Sequence, residues 1–308
     1  MTVTPSENES VLDQLLKLTD LTSLDISWTQ IARDSLRYLA KLTRLESLNI
    51  AGVRGDSAGT DWTVFASLPK LRKFTDQCVN FKESGKHLLE FTRLTKLDVR
   101  VHSLSVTALQ HLTNLRELMN RENFDSDVVN LAPLENLTHL TIEGIKKISQ
   151  ISYPPRLKEL VINSVSNTET KPPEFFDSLC DVITLERLEL NSPAIFSENS
   201  QQLSPHITRL TNLRELKIYL LAPGTLETPQ KCRIQSNELF FSQIEVCRNL
   251  LHLPSLRKIH LGLFQLSKHE DTFKQMTQLV ELWLRSTSGL DIPAVRKLFP
   301  FAVYKVLV

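Results

Sequence analysis

The chain has 308 residues, of which 41% are hydrophobic, and its 36 lysines and arginines face 35 acidic residues. This near balance argues against a dedicated nucleic-acid binder, which would carry a basic excess or stripe. No stretch approaches the roughly 18 apolar residues that a membrane-spanning helix needs. Composition and charge therefore favour partners other than nucleic acid and membrane.

The first ten residues, MTVTPSENES, are polar and lack the apolar run of a signal peptide. We expect residues 1–10 to form a flexible tail. None of the four cysteines, Cys78, Cys180, Cys232 and Cys247, stands in a C-x-x-C pair, so the spacing of a metal site is absent. These features predict a reducing cytoplasmic location, with the nucleus as an alternative.

A segment that begins at Leu21, LTSLDISWTQI, recurs along the chain in varied form. Its skeleton is L-x-x-L-x-L, and successive copies mostly start 20–28 residues apart. The eleven copies begin at Leu21, Leu45, Leu71, Leu94, Leu115, Leu137, Leu157, Leu185, Leu213, Leu256 and Leu279. Eleven matches in phase indicate a repeat architecture, in which stacked units share one core.

Each copy alternates apolar and polar residues, which predicts a short strand with one face buried. The residues that follow have apolar side chains at helical spacing in four copies, at 34–42, 105–112, 174–183 and 271–279. Asp34, Ser105 and Asp271 stand at expected helix N-caps. Strand, turn and helix in repetition predict a parallel sheet on a concave side and helices on a convex side.

The step from Leu213 to Leu256 is longer than the others and predicts an insertion at about 222–252. Its first part is rich in proline and polar residues, which favours a surface loop, and its second part reads as an amphipathic helix. Residues 291–308 predict a last helix and a short apolar strand. We expect residues 11–308 to form a single repeat domain.

These repeats resemble the leucine-rich repeat from about residue 11 to the C-terminus. The resemblance implies an α/β leucine-rich repeat solenoid (a curved horseshoe) of about eleven repeats, with a parallel β-sheet on the concave face and helices and helical turns on the convex face. Only Asn123 places asparagine just after a strand, so the copies look more like intracellular, threonine-type repeats than asparagine-ladder receptors. They are also similar to the F-box-type substrate receptors of cullin–RING ubiquitin ligases, although the chain carries no F-box pattern.

Side chains two apart on a strand share a face, and neighbouring strands lie about 4.8 Å apart. Polar and aromatic residues should therefore form ladders across the concave face. The candidate partner-binding residues are Trp28, Asp98, Arg100, Arg121, Glu143, Lys217, Tyr219, His260, Trp283 and Arg285. Arg100 and Arg121 could clamp a carboxylate or phosphate, or Asp98 and Glu143 could neutralise them at little net gain.

Motifs of catalysis are missing, since the sequence has no G-x-S-x-G, no H-E-x-x-H and no glycine-rich phosphate loop. We therefore expect no enzyme activity, no metal and no cofactor. The sequence predicts a protein–protein interaction module, a monomer that binds a protein or peptide. The alternatives are the substrate-recognition subunit of a cullin–RING ligase, a scaffold with no single partner, and an enzyme that uses Cys232 or Cys247.

Overall fold

The computed structural model describes residues 12–53, 62–77, 88–100, 103–144, 148–163, 173–191, 206–219, 249–262, 275–285 and 303–307. Contacts divide the chain into two units, Met1–Lys147 and Ile148–Val308, and each is described by itself. The tail 1–10, most of the insertion at 222–252, and Cys78, Cys232, Cys247 and Asp271 lie outside the described residues. The single domain at 11–308 stays a prediction.

The described part of the first unit contains a parallel sheet. Its strands are β1 (Ser23–Asp25), β2 (Ser47–Asn49), β3 (Lys73–Asp76), β4 (Lys96–Val99), β5 (Glu117–Asn120), β6 (Val128–Asn130) and β7 (His139–Ile142). All of them except β6 pair side by side, in chain order. The register is regular, so that Leu24, Leu48 and Phe74 stand level with one another on three neighbouring strands.

The described part of the second unit likewise contains parallel strands. Its strands are β8 (Gln150–Ser152), β9 (Glu159–Asn163), β10 (Arg187–Asn191), β11 (Glu215–Tyr219), β12 (Lys258–Gly262), β13 (Glu281–Arg285) and β14 (Val303–Leu307). Strands β9 to β14 pair in chain order. Strand β14 confirms the short apolar strand that the sequence predicts near the C-terminus.

The repeat leucines form the core beneath these sheets. In the second copy Leu45, Leu48 and Ile50 are buried, and the same positions are buried in the other copies wherever their side chains are described, except Leu21, which is half-buried. Burying such a side chain contributes roughly 1.5–3 kcal/mol. A strand follows each of the eleven leading leucines, which confirms the predicted number of repeats.

A degenerate copy of the repeat is accommodated by an aromatic cluster. Phe74 stands in β3 where most other copies have leucine, and its ring centroid lies 5.3 Å from that of Trp62, edge to face. The rings of Phe65 and Phe91 lie 5.7 and 5.5 Å away. Such geometries are favourable for aromatic pairs, so the larger residue at this position has partners of matching size.

A buried ion pair lies beside this cluster. Arg33 Nη2 is 2.7 Å from Asp76 Oδ1, and both residues are buried. Arg33 Nε also donates to the Val53 carbonyl at 3.2 Å, and Trp62 Nε1 donates to Asp76 Oδ2 at 3.0 Å. These hydrogen bonds satisfy charges that would otherwise be costly to bury.

Helices between the strands are short. Among the described residues, α-helices span Thr63–Ala66, Val106–Leu109 and Pro173–Cys180, and 3-10 helices span Arg33–Lys41, Leu88–Glu90 and Ile207–Arg209. The predicted cap at Ser105 is confirmed, since its hydroxyl accepts from Ala108 N. The predicted cap at Asp34 is wrong: the 3-10 helix starts at Arg33, the N-cap is Ala32 and no side chain caps it. No described helix is long and apolar enough to cross a membrane.

Asparagines that precede the strands tie neighbouring repeats together. The amides of Asn114 and Asn136 donate to the carbonyls of Thr92 and Thr113, at 2.8 and 2.9 Å. Asn212 Nδ2 likewise donates to a carbonyl of the preceding repeat at 2.8 Å. In these copies the asparagine that links two repeats therefore lies three residues before the strand, whereas in asparagine-ladder repeats it follows the strand.

Candidate partner-binding face

In each unit the paired strands have a second face that carries polar and aromatic side chains, here called the polar face. It is built from the strand positions that alternate with the buried ones, together with the residue just after each strand in the first unit. In the first unit Asp98 stands level with Thr75 and Met119 on the adjacent strands. In the second unit His260 stands level with Lys217 and Trp283. The predicted ladders are therefore present.

Arg121 is the centre of an ionic cluster on the polar face of the first unit. Its Nε and Nη2 donate to the two carboxylate oxygens of Asp98, at 2.9 and 3.2 Å. Its Nη1 donates to Glu143 Oε1 at 3.1 Å. The hydrogen bond to Asp98 is the largest of the effects that raise the pKa of Arg121. The carboxylates thus neutralise Arg121, one of the two outcomes that the sequence left open.

Arg100 is in a different situation from Arg121. Strand register places it beside Arg121, since Arg100 N donates to the Asp76 carbonyl and Arg121 N donates to the Val99 carbonyl. Its Nε atom is buried and has no hydrogen-bond partner among the described residues. Among the described residues, carboxylates hold Arg121 and not Arg100, and a clamp of a ligand by both arginines stays a prediction.

Trp28 lies just beyond β1 and is 77% exposed. Its backbone has φ of +59°, a left-handed conformation that is rare for a bulky residue. The indole lies against Gly52, where an added Cβ would come within 2.5 Å of the ring. Glycine is thus required opposite this tryptophan, and the indole presents a large apolar surface to solvent.

An aromatic stack forms the centre of the polar face in the second unit. The rings of His260 and Trp283 lie 4.9 Å apart and are nearly parallel, with an interplanar angle of 10°. Trp283 Nε1 donates to the Glu281 carboxylate. His260 is 6% exposed and its Nε2 has no hydrogen-bond partner. Burial, followed by the nearby charge of Lys217, lowers the pKa of His260.

Charged side chains surround this stack in an ordered row. Lys217 Nζ lies 3.1 Å from Glu215 Oε1 and 3.7 Å from Glu189 Oε2. Arg187 approaches the carboxylates of Glu159 and Glu189 at 3.4 and 3.2 Å. Opposite charges on adjacent strands therefore hold one another in place.

The remaining predicted residues lie on the same strands. Tyr219 ends β11 and Arg285 ends β13, opposite Asn191 and Gly262 respectively. Their side chains are outside the described part of the structure. The role of all ten candidate residues in binding stays a prediction, although their strand positions agree with the expected ladders.

Sequence reasoning missed one row of the polar face. The residues that begin the strands in the second unit alternate in charge, and they are Glu159, Arg187, Glu215, Lys258 and Glu281. They stand two residues before the predicted row and therefore share its face. The period-two alternation, continued by two residues towards the start of each strand, predicts this row as well.

Cysteine chemistry is not favoured at the described thiol. Cys180 is buried and free, and burial raises its pKa to about 12, which suppresses the reactive thiolate. Within the described ranges, no group of three or more His, Cys, Asp or Glu side chains could hold a metal ion.

The fold and the polar face define the class of protein: a leucine-rich repeat fold in which a parallel sheet displays ordered polar side chains. A leucine-rich repeat protein of Leptospira interrogans is similar at a TM-score of 0.56 and 15% identity, over 95% of this chain and 74% of that one. This likeness shows the fold alone.

Two further similar structures come from Listeria monocytogenes, one an internalin and the other the functional domain of InlJ. One has a TM-score of 0.47 and 15% identity, over 98% of this chain and 89% of its own. The other, a functional domain, has a TM-score of 0.48 and 17% identity, over 94% of this chain and 63% of its own. No protein-family model matches the sequence, and no curated protein matches it.

Proposed function

We propose that this chain is a protein-interaction module that binds a protein or peptide through the polar face of its sheet. The observation that carries the proposal is the stack of His260 on Trp283, set among ion-paired side chains. Tryptophan and arginine are the residues that most often dominate binding energy at protein interfaces.

The stack has the properties of an interface anchor. Trp283 is fixed on one side by the ring of His260 and on the other by its hydrogen bond to Glu281. A partner that covers the indole would gain apolar contact without first ordering a mobile side chain. Little conformational entropy would then be lost on binding.

The charged row supports specificity. Ion pairs at a surface contribute little to stability, so the regular network around Arg187 and Lys217 is not needed to hold the fold. Complementary charges do select partners and set their orientation. A partner with charges in the matching order would be favoured over one with the reverse order.

The proposal also includes three properties of the chain. It binds its partner without catalysis, it is a monomer, and it is located in the cytoplasm or nucleus. A formal net charge of +1 gives no general attraction to nucleic acid or to anionic membranes. No specific observation favours the cullin–RING alternative, and we do not propose it. The thiol-enzyme alternative concerns Cys232 and Cys247, which lie outside the described residues.

The test is affinity capture with mass spectrometry, run on four forms of the chain. The face variant combines Trp283→Ala with Lys217→Glu. The matched control combines Val280→Ala with Lys17→Glu, which makes the same types of change at exposed positions away from the polar face. The fourth form is Trp283→Ala alone.

We expect a specific partner to be captured by the wild type and the control and to be lost with the face variant. Equal capture by all forms would overturn the proposal.

A further inference from the structure

We propose that Arg100 binds the side-chain carboxylate of a glutamate or aspartate in an acidic segment of the partner. This inference rests on the proposed function and specifies the chemistry of one position on the polar face. It differs from the sequence-based clamp because it assigns the contact to Arg100 and excludes Arg121.

Arg100 has unused hydrogen-bonding capacity. Its Nε atom is buried from solvent and donates to nothing, and no carboxylate in the described residues forms an ion pair with it. Most buried polar groups in proteins have a partner, and one that lacks it needs an explanation. Arg100 as a whole is half-buried, so its guanidinium is within reach of a bound partner, and a small rotation of the side chain would bring Nε to an acceptor there.

The carboxylates near Arg100 are already bound by Arg121. Arg121 takes both oxygens of Asp98 and one oxygen of Glu143. Asp98 is itself buried, so its hydrogen bonds with Arg121 compete with little solvent. Arg100 therefore keeps a positive charge that the cluster leaves available at the surface.

The geometry of the guanidinium and the charges around it determine which ligand is favoured. A guanidinium binds a carboxylate through parallel hydrogen bonds, and the fork geometry makes arginine suitable for this contact. A phosphate monoester carries a charge of about −1.5 to −2 at neutral pH. Asp98 and Glu143 lie on the same cluster and would repel such a group more strongly than a singly charged carboxylate. The surroundings therefore favour glutamate or aspartate over a phosphorylated residue.

The experiment measures binding of short fluorescent peptides by anisotropy. The probes are N-acetylated, C-amidated peptide mixtures with a fixed central glutamate, and matched mixtures with glutamine or phosphoserine at that position. A fourth mixture has no acidic side chain and a free C-terminal carboxylate. We expect the wild type to prefer the glutamate mixture, and Arg100→Gln to weaken its binding about tenfold or more.

Two further variants make the result interpretable. Arg44→Gln removes an exposed arginine that pairs with Asp20 and should bind as the wild type does. Arg100→Lys keeps the charge but loses the fork and should bind with intermediate affinity. Thermal unfolding checks the fold, and Arg100→Gln should be as stable as the wild type, because Arg100 makes no internal ion pair.

Several outcomes would overturn the assignment. They are absence of binding by the wild type, equal binding by Arg100→Gln, and preference for phosphoserine or for the free C-terminus. If Trp283→Ala with Lys217→Glu loses the captured partner but Arg100→Gln binds the glutamate peptides normally, this inference fails and the proposed function stands. If Arg100→Gln weakens binding of the glutamate peptides but the face variant captures the partner fully, this inference stands and the proposed role of the His260–Trp283 stack fails.

Discussion

The carboxylate of Asp76 lies in the core, 1% exposed, between Arg33 and Trp62. Removing one member of a buried ion pair leaves the other charge unpaired in a medium of low polarity. We therefore expect Asp76→Asn to lower the free energy of unfolding by about 3–5 kcal/mol. Urea denaturation followed by circular dichroism measures the loss.

The matched control for this prediction is Asp20→Asn, which removes the exposed partner of Arg44. Exposed pairs contribute little, so this variant should unfold as the wild type does. A double variant, Arg33→Met with Asp76→Leu, should be more stable than Asp76→Asn, since no charge stays buried. A loss for Asp76→Asn no larger than that for Asp20→Asn would show that the pair does not stabilise the core.

His260 provides a prediction about pH. Burial lowers its pKa in the folded chain below the ordinary value of 6.5. Between the two pKa values the unfolded chain binds more protons, so stability decreases as pH falls. The contribution of the neutral imidazole is complete above pH 6.5 and is lost as the pH drops through the folded-state pKa.

The measurement is the thermal unfolding midpoint of the wild type and of His260→Gln between about pH 7.5 and 5, above the ordinary range of carboxyl groups. The wild type should lose more stability on acidification than His260→Gln. His252→Gln, a change at an exposed histidine, should retain the wild-type pH dependence. Parallel curves for the wild type and His260→Gln would refute the role of His260.

At the scale of single residues, the sequence predicted where side chains lie on the polar face but not which ion pairs they form. Period-two alternation was enough to place Asp98, Arg121 and Glu143 side by side. Which arginine takes the carboxylates depends on side-chain rotamers and burial, and these depend on the packed neighbours. The difference between Arg100 and Arg121 therefore emerges only from the structure.

The turn that follows β1 links two neighbouring repeats through Trp28 and Gly52. Gly52 has φ of +66°, and a Cβ there would come within 3 Å of three indole carbon atoms. We expect Gly52→Ala to cost about 1–3 kcal/mol, since it adds backbone strain to the clash. Urea unfolding measures this cost in the wild type and in a Trp28→Ala background.

The Trp28→Ala background separates the two causes. With the indole gone, only the backbone strain remains, so the cost of Gly52→Ala should be smaller than in the wild type. Equal costs in the two backgrounds would mean that the ring moves away freely and that the contact does not order Trp28.

Strands were the most predictable elements of the fold. Each repeat carries the same alternation of leucine and polar residues, and eleven repetitions make a register error improbable. Helices were less predictable, because the segments between strands are short and the packed core decides where they begin. The 3-10 helix Arg33–Lys41 begins before Asp34, the residue that the sequence predicted as its N-cap. Its first residue, Arg33, pairs with Asp76 in the core.

For the whole molecule, the leucine-rich repeat fold follows from the repeated pattern and from the likeness to the Leptospira interrogans structure. Function follows less directly, since the same core pattern supports many surfaces. Binding depends on the side chains between the leucines, and these vary from one copy to the next. The polar face is therefore the part of the molecule in which specificity would lie.

Hydroxyl-radical footprinting of the chain, alone and with the captured partner, tests the central claim most directly. The account predicts that oxidation of Trp283 falls on binding, because the partner covers the polar face. Oxidation of Ile183 and Val280, exposed apolar residues that precede the strands and are outside the positions that define the polar face, should be unchanged. Protection of Ile183 or Val280 with no change at Trp283 would place the partner elsewhere and contradict the account.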